Sequence, residues 1–284
     1  MNATGWATLV QPEALASALD EADLVLVDCR FSLADPAAGE RAYRDAHLPG
    51  ARYAHLDRDL SGPAAIREGR HPWPDAGLFI RRLSAWGIST RSRVVAYDAG
   101  DGAFAARLWC LLRMLGHEAV AVLDGGWARW TRLGLPVDTD LPQPAHTPYD
   151  AVFEAARLLD ADATGLHIAH GGLLVDARAP ERYRGEVEPL DAVAGHVPGA
   201  VNRPYTANLD AGGFKPAAQL RSEFETLLGG RGAQELVAMC GSGVTACHHL
   251  LALEHAGLHG ARLFTGSWSG WISDPTRPVA TGEG

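Results

Sequence analysis

The stretch "LVAMCGSGVTACHHLLALEHAG", residues 236–257, decides how the rest of the chain is read. Leu236 to Met239 is a short unbroken apolar run, which predicts an interior strand. From Thr245 onward Ala246, Leu250, Leu251 and Leu253 fall at helical spacing, which predicts a helix over 245–256. Cys240 therefore stands where a buried strand ends and a turn of Gly241, Ser242, Gly243, Val244 and Thr245 begins. The N–H groups of such a turn, with the positive end of the following helix, favour an anion or a thiolate. Gly241 and Gly243 let the backbone close on the sulfur, and Ser242 and Thr245 offer hydroxyls. The loop carries no charged residue, so amide dipoles are expected to do the stabilising.

The chain repeats itself once. "LVLVDCR" (24–30) matches "GLLVDAR" (172–178), and "AHLPGARY" (46–53) matches "GHVPGAVN" (195–202). "RVVAYDAGDGAFAARLWCLLRMLG" (93–116) matches the opening stretch, and "VLDGGWARW" (122–130) matches "LFTGSWSGW" (263–271). The order is kept and the offset stays between 141 and 149 residues, so a whole domain is duplicated. Each half alternates short β runs with helical patterns, as an α/β unit with a mostly parallel sheet does. Strands are predicted near 24–30, 93–98 and 119–124, then 172–177, 236–240 and 261–265. Helices are predicted near 12–20, 75–87, 104–116 and 127–134, then 154–163, 217–228 and 245–256. Residues 1–137 and 151–284 are read as the two domains, joined by the proline-rich linker 138–150. In the first half Asp98 takes the place of Cys240, so only the second half has the thiol.

The 284 residues carry a net charge of −9, which gives no support to a nucleic-acid role. No apolar stretch approaches the length of a membrane helix, and the N-terminus lacks a secretion pattern, so a cytoplasmic protein is expected. Of four cysteines none forms a C-x-x-C pair or a zinc spacing. Cys29, Cys110 and Cys247 read as buried hydrophobes; Cys240 alone has an activating context. Trp127, Trp130, Trp268 and Trp271 occupy equivalent places and read as core, and His248 and His249 as helix surface. A cysteine phosphatase needs an arginine at position 246, which is Ala246 here. That leaves sulfur transfer, in which the thiolate takes an outer sulfur as a persulfide and passes it on.

The duplication, "CGSGVTA" (240–246), "GHVPGAVN" (195–202) and "RAYRDAHLPGA" (41–51) resemble the two-domain rhodanese-type sulfurtransferases. The resemblance implies two α/β domains, each a mostly parallel sheet flanked by helices, with the second catalytic. It implies Cys240 as nucleophile and persulfide carrier and Gly241–Thr245 as its cradle, with no metal or organic cofactor. Family members with Gly-Ser after the cysteine use 3-mercaptopyruvate, and those with Arg-Lys use thiosulfate. Arg182 matches the family's substrate arginine. A second arginine expected in the "EP" stretch is Leu190 here, so thiosulfate stays open as donor, as does a carrier role without a small-molecule donor. Ser242, His71 and Asp57 match a proton relay, the last two drawn from the first half. Arg58 and Arg70 beside them are open between structural and substrate-attracting roles. A small-molecule sulfur donor, a thiol acceptor such as thioredoxin and a monomeric state are the expected partners and assembly.

Overall fold

The computed structural model describes residues 6–63, 65 and 67–283. The chain divides into two compact units. One holds Met1–Gly62, Pro74–Glu154 and Ala211–Phe214; the other holds Pro63–Trp73, Ala155–Asp210 and Lys215–Gly284. The proline-rich stretch 138–150 is counted with the first unit, and the segment 63–73 with the second.

Each unit is built on a five-stranded sheet with every neighbouring pair parallel. In the first unit the strand order is Leu9–Val10, Val120–Leu123, Arg93–Tyr97, Leu24–Asp28, Arg52–Tyr53. The second repeats it with Leu158–Leu159, Arg262–Phe264, Leu236–Met239, Leu173–Asp176, Val201–Asn202. The central strands are runs such as "LVLVD" and "LVAM" because a parallel sheet covered by helices buries both faces. Leu26, Val95, Ala121, Leu123 and Trp130 belong to the core of the first unit; Leu174, Val237, Met239, Phe264 and Trp268 belong to that of the second.

The repeated motifs are structural devices. Asp28 and Asp176 are fully buried at strand ends, and each takes the guanidinium two residues on, Arg30 or Arg178, at 2.6 Å. Those arginines in turn lie over the rings of Trp127 and Trp268, at 4.3 and 4.8 Å from the ring centres. His47 and His196 of the "HLPG" and "HVPG" turns stack on Tyr43 and Tyr183 and bond their carbonyls. The Tyr43 and Tyr183 hydroxyls donate to the Ala51 and Ala200 carbonyls.

Two expectations need correction. The helix predicted at 154–163 is a short 3-10 turn, Ala155–Arg157, then the edge strand Leu158–Leu159, then a helix Ala161–Ala169 capped by the Asp160 carboxylate. His248 and His249 are buried rather than on the helix surface. The Asn208 side-chain amide meets the Nδ1 atoms of both, at 2.9 and 3.0 Å, and Nε2 of His249 bonds the Arg203 carbonyl. Burial, with the nearby Arg203 charge, pushes His249 down to about 3, so it is neutral at ordinary pH.

Candidate active site

Cys240 follows the strand Leu236–Met239 and precedes the helix Ala246–His255 by a five-residue turn. Its side chain is buried, and its Sγ takes the Gly243 N–H at 3.2 Å. Gly243 has φ +79°, a conformation that favours glycine, and this turns its N–H back toward the sulfur. Val244 is buried and Thr245 half-buried, at the N-cap of the helix without a side-chain capping bond. Cys247, one turn into the helix, is buried with its thiol on the Gly243 carbonyl at 3.3 Å.

The loop is anchored from the opposite side by "GSWSG". The Cys240 N–H donates to Ser267 Oγ at 3.0 Å, and that hydroxyl donates to the Phe264 carbonyl at 3.0 Å. Ser267 holds φ +50°, the left-handed region, which a non-glycine residue occupies at about 1–2 kcal/mol. The Trp268 and Ser269 N–H groups donate to the carbonyls of Cys240 and Gly241, at 3.0 and 2.9 Å. Ser267 was not a sequence candidate; its signal is that the repeat aligns it with a glycine, Gly126, and the two share nearly the same φ, +50° and +49°.

The first unit supplies an internal control. Asp98 occupies the place of Cys240, and its carboxylate fills the turn. One oxygen accepts from Gly100 and Gly102, the other from Phe104 and Ala105, at 2.9–3.1 Å. Converging amides in this turn therefore do hold an anion. Burial and the neighbouring Asp101 still raise the Asp98 carboxyl to about 6, against the pull of the amides.

The segment 67–73 packs against the same loop. Gly69 has φ +83°, and a Cβ there would stand 2.5 Å from the Gly266 carbonyl, so only glycine permits this approach. The Arg70 N–H donates to Ser269 Oγ at 3.0 Å. The next residue, His71, is buried with Nδ1 2.7 Å from Ser242 Oγ. The structure thus joins Cys240, Ser242, His71 and Arg182 in one unit. Asp57 lies in the other, on the turn Leu56–Asp59, half exposed, with a carboxylate oxygen 4.0 Å from His55 Nδ1. Arg58 forms a surface ion pair with Glu40 at 2.6 Å.

The expectation of a charge-free cradle is also corrected. A Cβ placed on Gly241 would lie 3.1 Å from Arg70 Nη2 and 3.5 Å from Nη1 and Nη2 of Arg182. Two guanidiniums therefore overhang the residue after the cysteine. Arg182 is tied to Glu188 at 2.7 Å and to Asp191 at 3.2 Å, and Arg70 is tied to Asp191 as well. Burial works to raise the Glu188 carboxyl, but Arg182 and the Leu190 and Asp191 N–H groups hold it below its ordinary value. Among the described residues no His, Cys, Asp and Glu cluster could hold a metal ion.

A duplicated parallel α/β unit with a cysteine at the strand-to-helix turn of its second copy defines a class. Residues 11–133 and 155–274 each match the rhodanese-like domain, and the chain belongs to that family. It is 49% identical over 283 residues to the "Probable 3-mercaptopyruvate sulfurtransferase" of Pseudomonas aeruginosa, across 98% of this chain and 99% of that one. Thiosulfate sulfurtransferase of Bos taurus is 32% identical over 255 residues, 86% of this chain and 84% of the relative. The solved 3-mercaptopyruvate sulfurtransferase from Leishmania major has a TM-score of 0.80 at 31% identity, over 94% of this chain and 74% of that one.

Proposed function

We propose that this chain moves sulfur from 3-mercaptopyruvate to a thiol or cyanide acceptor through a persulfide on Cys240, releasing pyruvate. The observation that carries the reading is the Cys240 sulfur on a backbone N–H at the head of a helix, with a Ser242–His71 hydrogen bond in the same unit. The Cys240 thiolate attacks the donor sulfur, the donor carbon–sulfur bond breaks, and its electrons pass to the carbon as the enolate of pyruvate. The proton lost by the donor thiol ends on that carbon, so the step balances without an external oxidant or reductant. Ser242 and His71 carry this proton, an imidazole being suited to it near neutrality. Arg182 holds the donor carboxylate, and Gly241, Gly243, Val244 and Thr245 shape the cradle around the outer sulfur. An acceptor thiolate then attacks that outer sulfur and leaves Cys240 as a thiolate again. No metal or organic cofactor takes part.

Thiosulfate, with release of sulfite, is the rival donor, kept open by Leu190 in the place where the family resemblance implies a second arginine. A persulfide carrier without a small-molecule donor is the other reading. The acceptor class includes small thiols and reduced protein thiols such as thioredoxin, met by a cytoplasmic monomer. No helix among the described residues is long and apolar enough to cross a membrane. Turnover of mercaptopyruvate and of thiosulfate, on the wild type and on Cys240→Ser, tests the assignment. Higher kcat/KM for mercaptopyruvate, abolished in Cys240→Ser, is expected; equal or higher efficiency with thiosulfate overturns the donor. Loss of both activities with persulfide still gained from a protein partner makes the chain a carrier.

A further inference from the structure

We infer that Arg70 is a second anion-binding residue of the donor site, acting with Arg182 across Gly241 to grip the donor's carboxylate. The inference deepens the sulfurtransferase reading and rests on Cys240 as the attacking sulfur. Its geometry is independent of that reading. Arg70 Nη2 comes nearer to the space above Gly241 than either nitrogen of Arg182, 3.1 Å against 3.5 Å. Two guanidiniums at that range can take the two oxygens of one carboxylate.

Arg70 is held there from three sides. Behind it, Gly69 lies against the Gly266 carbonyl; its own N–H is fixed to Ser269; ahead of it, His71 is bonded to Ser242. Beyond the backbone, Asp191 takes Nη1 of Arg70 with one oxygen and Nη2 of Arg182 with the other. The Asp191 side chain is only 4% exposed, so the bridge is built into the protein. Asp191 thereby fixes the spacing of the two guanidiniums, while Arg70 Nη2 and Arg182 Nη1 stand over Gly241. Glu188 fixes the Arg182 plane from its other edge.

A cavity of about 330 Å³ opens beside Arg70, lined by Arg67, Arg70, Leu190, Asp191 and Ser269 among others. Leu190 brings no charge to it, so the partner cation of Arg182 comes from the 67–73 segment and not from the 186–195 loop. The ligands of this pair are small sulfur donors that carry a carboxylate.

The test uses alkylation of Cys240 by iodoacetate and by iodoacetamide, reagents alike in shape that differ in the carboxylate. Rates are followed by mass spectrometry, with peptide fragmentation to separate Cys240 from Cys247. The ratio of the iodoacetate to the iodoacetamide rate should fall about tenfold in Arg70→Ala, the size expected for a charge-assisted hydrogen bond, and by less in Arg70→Lys, which keeps the charge without the fork. In the full reaction Arg70→Ala should raise KM for mercaptopyruvate by a similar factor while kcat holds within a few-fold. An unchanged ratio in Arg70→Ala overturns the inference, as does a ratio lost in Arg70→Lys as fully as in Arg70→Ala. If the ratio falls as expected but wild type turns over no mercaptopyruvate, the anion site stands and the donor assignment fails.

Discussion

Replacing Ser267 tests how the cradle around Cys240 is held. Its hydroxyl is the acceptor for the Cys240 N–H at 3.0 Å, and it does so from a backbone at φ +50°. Ser267→Ala keeps the left-handed backbone and leaves a buried N–H without its acceptor, an expected loss of ~1–3 kcal/mol. Ser267→Gly loses the same hydrogen bond but relieves the backbone strain, worth ~1–2 kcal/mol. The glycine variant should therefore be more stable than the alanine variant by about 1 kcal/mol, although it removes more side chain. Urea unfolding gives both differences, and amide hydrogen exchange at Cys240 reports the loop directly. Exchange there should quicken in both variants, because the donor is equally orphaned. An alanine variant as stable as the wild type, or a glycine variant below alanine, refutes the reasoning.

Acidification should destabilise the chain through His249. Its imidazole titrates near 3 when folded and near its ordinary value when unfolded, so the unfolded chain takes up the proton first. Stability contributed by the neutral ring is complete above about pH 6.5 and declines as pH falls toward 3, with ~2 kcal/mol lost by about pH 5. Urea unfolding of His249→Gln at neutral and mildly acid pH should show a flatter slope than wild type; Asp98, which titrates in both proteins, cancels in the comparison. His71→Gln and Ser242→Ala should each lower kcat with mercaptopyruvate by about 10²–10³-fold and change its pH profile, if they move the donor proton. A profile identical to wild type, measured by pyruvate release across neutral pH, removes them from the relay.

The three central strands of each sheet were legible because each is an apolar run, and the repeat made each half a check on the other; the two-residue edge strands, such as Arg52–Tyr53 and Val201–Asn202, were not. The segment 154–163 was misread because Leu158 and Leu159 are too few to announce a strand; they become one only by pairing with Leu263 and Phe264. Helical period could not reveal that His248 and His249 are buried, since Asn208, forty residues earlier, supplies their partner. Cys240 and its glycines stood out because the activating geometry is local. Ser267 did not, and Arg70 was left open between two roles, because what each does depends on segments that meet the loop only in the folded chain. The placement of His71 with the second unit was hidden for the same reason: glycines at 69, 266 and 270 allow that approach, and only the fold brings them together.

The most direct measurement is the mass of the Cys240 peptide after brief exposure to mercaptopyruvate, with fragmentation to assign the site. The account predicts the gain of one sulfur atom on Cys240, removed by a thiol acceptor and absent in Cys240→Ser. No added sulfur, or sulfur carried instead on Cys29, Cys110 or Cys247, contradicts it.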